Sequence, residues 1–202
     1  MPRQAGSRLS SQTLGITFNM RRWSRLSSTP VIQDRWLHVT ADRCELEPGK
    51  IIEPFYVIHE KEWVHVYAVN SRSEVLTVRQ YRYVANAVCV ELPGGVVDAG
   101  ENHQSAAIRE LLEETGHTAK CWSYVGKLFA NPARQTNSVH VYLAEALLHA
   151  ADQTLDETED MSWSFLSPAA LEESVQCGEF SQALHVASLY RAQQHLRTRG
   201  DA

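Results

Sequence analysis

The sequence predicts an α+β sandwich in which helices cover a mixed β-sheet. Three observations predict it. Short β-branched and aromatic runs dominate from Trp36 to Pro93; a helical period replaces them from about Asn102 to Thr115; strands and then helices follow to the C-terminus. The chain has 202 residues, 44% of them hydrophobic, which suits one full domain, or a domain with a small companion module.

The first 30 residues are rich in Ser and Arg and end at Pro30. Three expectations fit them: a disordered tail, an upstream extension with Met20 as an alternative start, or a transit-like segment. Tail or extension is preferred, and no apolar core of a secretory signal is present. From Trp36 the runs WLHVTADRCEL, IIEPFYVIHE, WVHVYAVN and VLTVRQYR read as strands, divided by the turns EPGK, HEKE and NSRSE. CVELP (89–93) is a last strand before Gly94-Gly95. Residues 34–85 are expected to form a small antiparallel β module, and 86–200 the main domain.

Ile108, Leu111 and Leu112 then recur at helical spacing, and Gly116 is a natural stop. WSYVGKLFA and VHVYLAEALL read as strands, and LDETEDM (155–161) lies in an acidic loop. Ser167-Pro168 pairs an N-cap with proline at the first helical position, and an amphipathic helix is expected over about 181–197.

Charge narrows the function. Five arginines and no acid occupy the first 33 residues; the remainder carries 14 basic and 24 acidic side chains. An acidic body disfavours nucleic-acid phosphates as partner, RNA-end processing included. No run approaches the roughly 18 apolar residues of a membrane helix. Cys44, Cys89, Cys121 and Cys177 form no CxxC pair, so zinc and dithiol chemistry are disfavoured and buried free thiols in a reducing compartment are expected. His140 and His185 belong to no HxH or HExxH pair and read as structural or surface residues.

The informative stretch is GGVVDAGENHQSAAIRELLEETGH (94–117). On a helix Glu110 and Glu114 lie about 40° apart, and Glu113 about 60° to the other side of Glu110. Like charges so placed repel, and an oxygen-rich cluster suits a hard cation, Mg2+ or Mn2+. The two glycines let backbone approach it, and Arg109 can hold one carboxylate in place. The plainer alternative is a solvated acidic face.

The full spacing resembles one family. Gly95, Glu101, Arg109, Glu110, Glu113, Glu114 and Gly116 occupy every fixed position of the Nudix box, Gx5Ex7REUxEExGU, with Leu111 at the first U; only His117 departs, standing where an aliphatic residue is usual. The lead-in VRQYRYVANAVCVELPGG is similar to that of ADP-ribose and nucleotide-sugar pyrophosphatases, as is Pro132, fifteen residues beyond His117. The resemblance covers about residues 35–195. The NADH and coenzyme A signatures, SQPWPxPxS and LLTxR, are absent.

That resemblance implies a Nudix-type α/β/α sandwich preceded by the β module, and a cytoplasmic, metal-dependent pyrophosphatase, usually a homodimer in which one chain's N-terminal module completes its partner's site. It implies Glu110, Glu114 and the Gly94 carbonyl as metal ligands, with Glu113 a ligand or water-positioning group. Arg109 would orient a box glutamate. The general base is expected on the acidic loop, at Glu157 or Glu159, with Asp156 and Asp160 as weaker choices. Arg82 and Glu91 match substrate contacts, Trp36 would stack a purine or pack internally, and Pro132 marks specificity. The implied substrate is ADP-ribose, split to AMP and ribose 5-phosphate. GDP-mannose or UDP-glucose is the alternative, because ARQTN (133–137) differs from the glycine-rich version. A catalytically inactive ligand-binding module is a third reading, disfavoured because every box glutamate is present.

Overall fold

Alternation of buried and exposed side chains along the strands decides the layering, and it does so in two separate units. The computed structural model describes residues 8–13, 16–157 and 159–200. One unit comprises residues up to Glu60 with Asn131–Thr136; the other comprises Lys61–Ala130 and the chain from Asn137 onward.

In the first unit β1 (Arg8–Thr13) pairs antiparallel with β2 (Ile16–Arg21). β3 (Ser24–Gln33), β4 (His38–Glu47) and β5 (Lys50–His59) form an antiparallel three-stranded sheet in that order. The segment 131–136 lies along β5, with Ile58 N–H donating to Arg134 O at 2.8 Å. The expectation of a disordered tail is corrected here: residues 24–30 belong to β3. Their polar side chains are all exposed, and backbone pairing with β4 holds the strand, helped by Ser28 Oγ donating to Asp42 Oδ1. Residues 1–7, 14 and 15 of that expected tail lie outside the described residues.

The second unit holds β6 (Trp63–Val69), β7 (Val75–Arg82), β8 (Ala87–Glu91), α1 (His103–Thr115), β9 (His117–Phe129), β10 (Ser138–His149), β11 (Met161–Leu166), α2 (Pro168–Cys177) and α3 (Ala183–Arg199). The sheet order is β11-β7-β6-β10-β9, with β8 on β7; β6 and β10 run parallel and the other pairs antiparallel. Strands β6 and β7, grouped with the N-terminal module in the sequence reading, hydrogen-bond into this mixed sheet. Successive residues serve opposite faces. On β10, Val141 and Leu143 pack with Leu171, Phe180 and Leu189 beneath α2 and α3, while Tyr142 and Ala144 pack with Ala106, Ala107 and Leu111 of α1. This is an α/β/α sandwich. The stripe on α1 differs from expectation: Leu112 is exposed, and the two alanines with Leu111 supply the contact. Small side chains let α1 sit close to the sheet.

One irregularity positions everything that follows. β6 and β7 pair only at Ala68–Leu76 and Val69–Val75, and then part. β8 continues along β7 to Glu91; the chain then crosses and bonds to β6, with Val66 N–H donating to Pro93 O at 2.8 Å and Val64 N–H to Gly95 O at 2.9 Å. The segment 92–97 therefore fills a split in the sheet. At Gly94 (φ +152°) any Cβ would meet Val64 O at 2.1 Å, so only glycine passes.

Candidate active site

The crossing segment delivers Gly94 and Gly95 to the end of α1. Asn102 caps the start of that helix by accepting from Ser105 N–H, and Gly116 ends it in the left-handed region at φ 69°. Between the caps, Arg109, Glu110, Glu113 and Glu114 line a cleft of about 620 Å3, together with Arg82, Gly94, Gly95 and Glu159. The acidic loop is tied to this helix end: Thr154 N–H donates to Glu113 O, and Gln153 Nε2 to Glu114 O.

Electrostatics organise the cleft. Glu114 is buried and accepts the Gly94 N–H at 2.9 Å. Burial pushes its carboxyl well above the ordinary range, and Glu110 and Glu159 add to the rise. Burial also raises Glu110, to about 7, against the pull of Arg109. Gly95 approaches so closely that a Cβ there would lie 2.5 Å from Glu110 Oε1.

The two arginines of the cleft differ in what they have left to give. Arg109 donates to Glu101 Oε1 and Oε2, Glu110 Oε1, Glu113 Oε2 and Val96 O, at 2.9–3.1 Å, and these five bonds use all its donors. It orients the box carboxylates and has nothing to offer a ligand. Arg82 donates Nε and one Nη2 hydrogen to Glu91. Its other three donors have no partner among the described residues.

Glu91 itself is fully buried and does not line the cleft. Besides Arg82 it accepts from Gln80 Nε2 at 3.3 Å, and His185 Nε2 lies 3.5 Å away. Glu91, expected as a substrate contact, thus sits buried behind Arg82 and holds its guanidinium. Behind it, His185 and His65 stack at 3.8 Å. The Leu92 N–H donates to His185 Nδ1, which leaves the ring hydrogen on Nε2, toward Glu91. Burial pushes His185 down to about 3 and His65 well below its usual value, so both stay neutral.

Six carboxylates, Asp98, Glu110, Glu113, Glu114, Asp156 and Glu159, line one cleft against Arg82 and a saturated Arg109, so oxygen donors dominate it. A hard divalent cation would supply the missing counter-charge, and the carboxylates of Glu110, Glu113 and Glu114 suit one.

Other expected residues sit elsewhere. Glu101 is half-buried and holds Arg109, and Gly116 is the helix cap. Of the loop carboxylates Glu159 and Asp156 line the cleft; Glu157 and Asp160 are exposed and do not. Pro132 and Trp36 lie in the first unit, and Trp36 is 77% exposed beneath the Arg35 guanidinium, so it packs in no core. Unforeseen in the cleft are Trp63, His65, Gln80, Gln182 and His185. The one available signal was His65 within an otherwise apolar strand. Cys121 and Cys177 are exposed, against the expected burial; all four thiols are free.

Comparison with known proteins follows the same division. Residues 60–184 match the family described as NUDIX domain, and residues 23–58 match the nucleoside diphosphate sugar hydrolase N-terminal domain. The chain is 28% identical to an ADP-ribose pyrophosphatase of Bacillus subtilis, over 83% of this chain and 89% of that one. It is 41% identical to an ADP-ribose pyrophosphatase of Saccharomyces cerevisiae over 58% of this chain, spanning 63% of that protein. The crystal structure of an ADP compounds hydrolase superposes with a TM-score of 0.78 at 21% identity, covering 91% of this chain and 98% of that one.

Proposed function

This chain belongs to the Nudix family and is a Nudix pyrophosphatase, and from that premise we propose that it hydrolyses the diphosphate bond of ADP-ribose, giving AMP and ribose 5-phosphate, with Mg2+ or Mn2+. The observation that carries this reading is the charge arrangement of the cleft: six carboxylates, one guanidinium with every donor used, and one with three to spare. A diphosphate is anionic too, so it enters such a cleft only with cations between.

Glu110 and Glu114, with the Gly94 carbonyl, would hold the ion, and Glu113 stands beside them. Once bound, a divalent ion neutralises phosphate charge and lowers the pKa of bound water. Arg109 and Gly95 fix the Glu110 carboxylate, and the Gly94 N–H fixes Glu114. Arg82, aimed by Glu91, offers its free donors to the diphosphate or ribose. Glu159, on a loop anchored to the end of α1, takes the proton from the attacking water, a role worth about 10²–10⁴-fold.

Adenosine as the nucleoside is supported by what the similar Bacillus and yeast proteins are called, and a nucleotide sugar by the match of residues 23–58. We further propose a cytoplasmic homodimer. Trp23, Leu26, Val31, Ile32 and Tyr56 are exposed on or beside the three-stranded sheet, more apolar surface than a solvated sheet needs.

The test is AMP, GMP and UMP release from ADP-ribose, GDP-mannose, UDP-glucose and dinucleoside polyphosphates, with Mg2+ and with Mn2+. The reading requires ADP-ribose to lead by at least about tenfold in kcat/KM, some 1.4 kcal/mol, and Glu114→Gln to abolish release. GMP or UMP release in first place transfers the same chemistry to another nucleotide sugar, and an inert wild type leaves a binding module.

A further inference from the structure

Away from the cleft, three side chains from separate elements of the second unit converge: Glu62 just before β6, His103 at the first position of α1, and His140 on β10. None of them lines the cleft. Their ligand atoms all lie within 4.8 Å of one another. His140 is buried, and its ring is held at both nitrogens: Nδ1 lies 3.2 Å from the Tyr124 hydroxyl, and Nε2 2.8 Å from Glu62 Oε2. His103 is half-buried, and its ring stacks on His140 at 3.5 Å.

We propose that Glu62, His103 and His140 form a second cation site, for a borderline transition ion such as Zn2+, chemically distinct from the carboxylate cluster of the cleft. Two imidazoles and one carboxylate are the donor set that favours Zn2+ over Mg2+. Tyr124 on Nδ1 leaves Nε2 of His140 as the ligand atom and sets its orientation, as groups behind metal-bound histidines generally do. Glu62 supplies the negative charge that a cation beside a helix N-terminus requires. Stacked rings point their lone pairs side by side, so binding requires His103 to rotate until its nitrogen converges with His140 Nε2 and a Glu62 carboxylate oxygen. Its place in the first helical turn, half open to solvent, permits that. The bound ion would tie the start of α1 to β10 and to the residue before β6.

The test uses the full-length protein with the cleft saturated by excess Mg2+. Co2+ is then titrated and followed by its d–d absorption, and Zn2+ by calorimetry and by thermal melting. One equivalent of each should bind, with a Co2+ spectrum lacking thiolate charge transfer, which sets aside the exposed Cys121 and Cys177. Losing a group that merely orients a ligand costs about 10–100-fold in metal affinity, so His103→Ala and Glu62→Gln should each weaken binding at least that much, while Glu114→Gln leaves it unchanged. Three results overturn the proposal: no Co2+ bound over Mg2+, binding indifferent to His103→Ala, or binding lost in Glu114→Gln, which would put the ion in the cleft. Since His103 is half-buried at a helix start, its variant keeps the core intact and the outcome readable.

Discussion

Replacing Glu110 by Gln should stabilise the protein when no metal is present, and only above a certain pH. The folded protein holds the Glu110 carboxyl at about 7, against an ordinary 4.5, chiefly because the group is buried, with Glu113 and Glu159 adding repulsion. A raised carboxyl pKa means the folded state binds the proton more tightly than the unfolded state. Stability therefore falls as pH rises from about 4.5 to about 7, and below that window both states are protonated and nothing is lost. The difference of some 2.5 units corresponds to about 3 kcal/mol at pH 8. Side-chain exposure of only 13% means that solvent screens little of it. Gln keeps an oxygen for Arg109 and carries no charge, so the variant escapes the penalty. At roughly 2–4 °C per kcal/mol for a chain of this size, it should melt about 6–12 °C above wild type at pH 8 in chelator. The gap should close toward pH 4.5, and saturating Mg2+ at pH 8 should narrow or reverse it. Thermal melts across pH, with and without EDTA, measure this directly. Equal melting at pH 8 without metal, or an offset that ignores pH, would refute the reasoning.

Two further outcomes follow from the same geometry. Glu91→Gln leaves Arg82 without its charge partner, and should raise KM more than it lowers kcat while lowering stability by about 1–3 kcal/mol; steady-state kinetics with thermal melts checks both, and an unchanged KM would separate Arg82 from the substrate. Glu159→Gln should lower kcat about 10²–10⁴-fold with the fold intact by circular dichroism, whereas Glu157→Gln should leave kcat unchanged; the reverse order would move the general base to Glu157.

How much of this the sequence disclosed depends on the range of the forces involved. The box was legible because its spacing encodes one local object, a capped helix with carboxylates on one edge, and both Asn102 and Gly116 act within a turn of it. The same holds for Ser167 and Pro168 at the start of α2. Residues whose roles depend on distant partners were not legible. Glu91 looks like any strand-end acid until Arg82, Gln80 and His185 close around it, the last of them 94 positions away in sequence. β3 carries no alternation of buried and exposed residues, since every side chain along it is exposed and backbone bonds to β4 hold it. β11 escaped because it follows the acidic loop directly and takes its identity from pairing with β7. Leu112 misled because period alone cannot show that a helix needs small residues where it meets the sheet most closely.

The split between β6 and β7 makes the protein a caliper. Glu91, which aims Arg82, and Gly94, which grips Glu114, are three residues apart on a segment bonded to β7 at one end and to β6 at the other. At about 3.3 Å per residue for a fully extended chain, the two stations lie at most roughly 10 Å apart. A surface loop could absorb an inserted residue there; this segment cannot, because its two ends are clamped to different strands. The distance between the guanidinium end of the cleft and its carboxylate end is thus set in whole residues. Ligands should be sorted by length first, and only afterwards by the identity of their base.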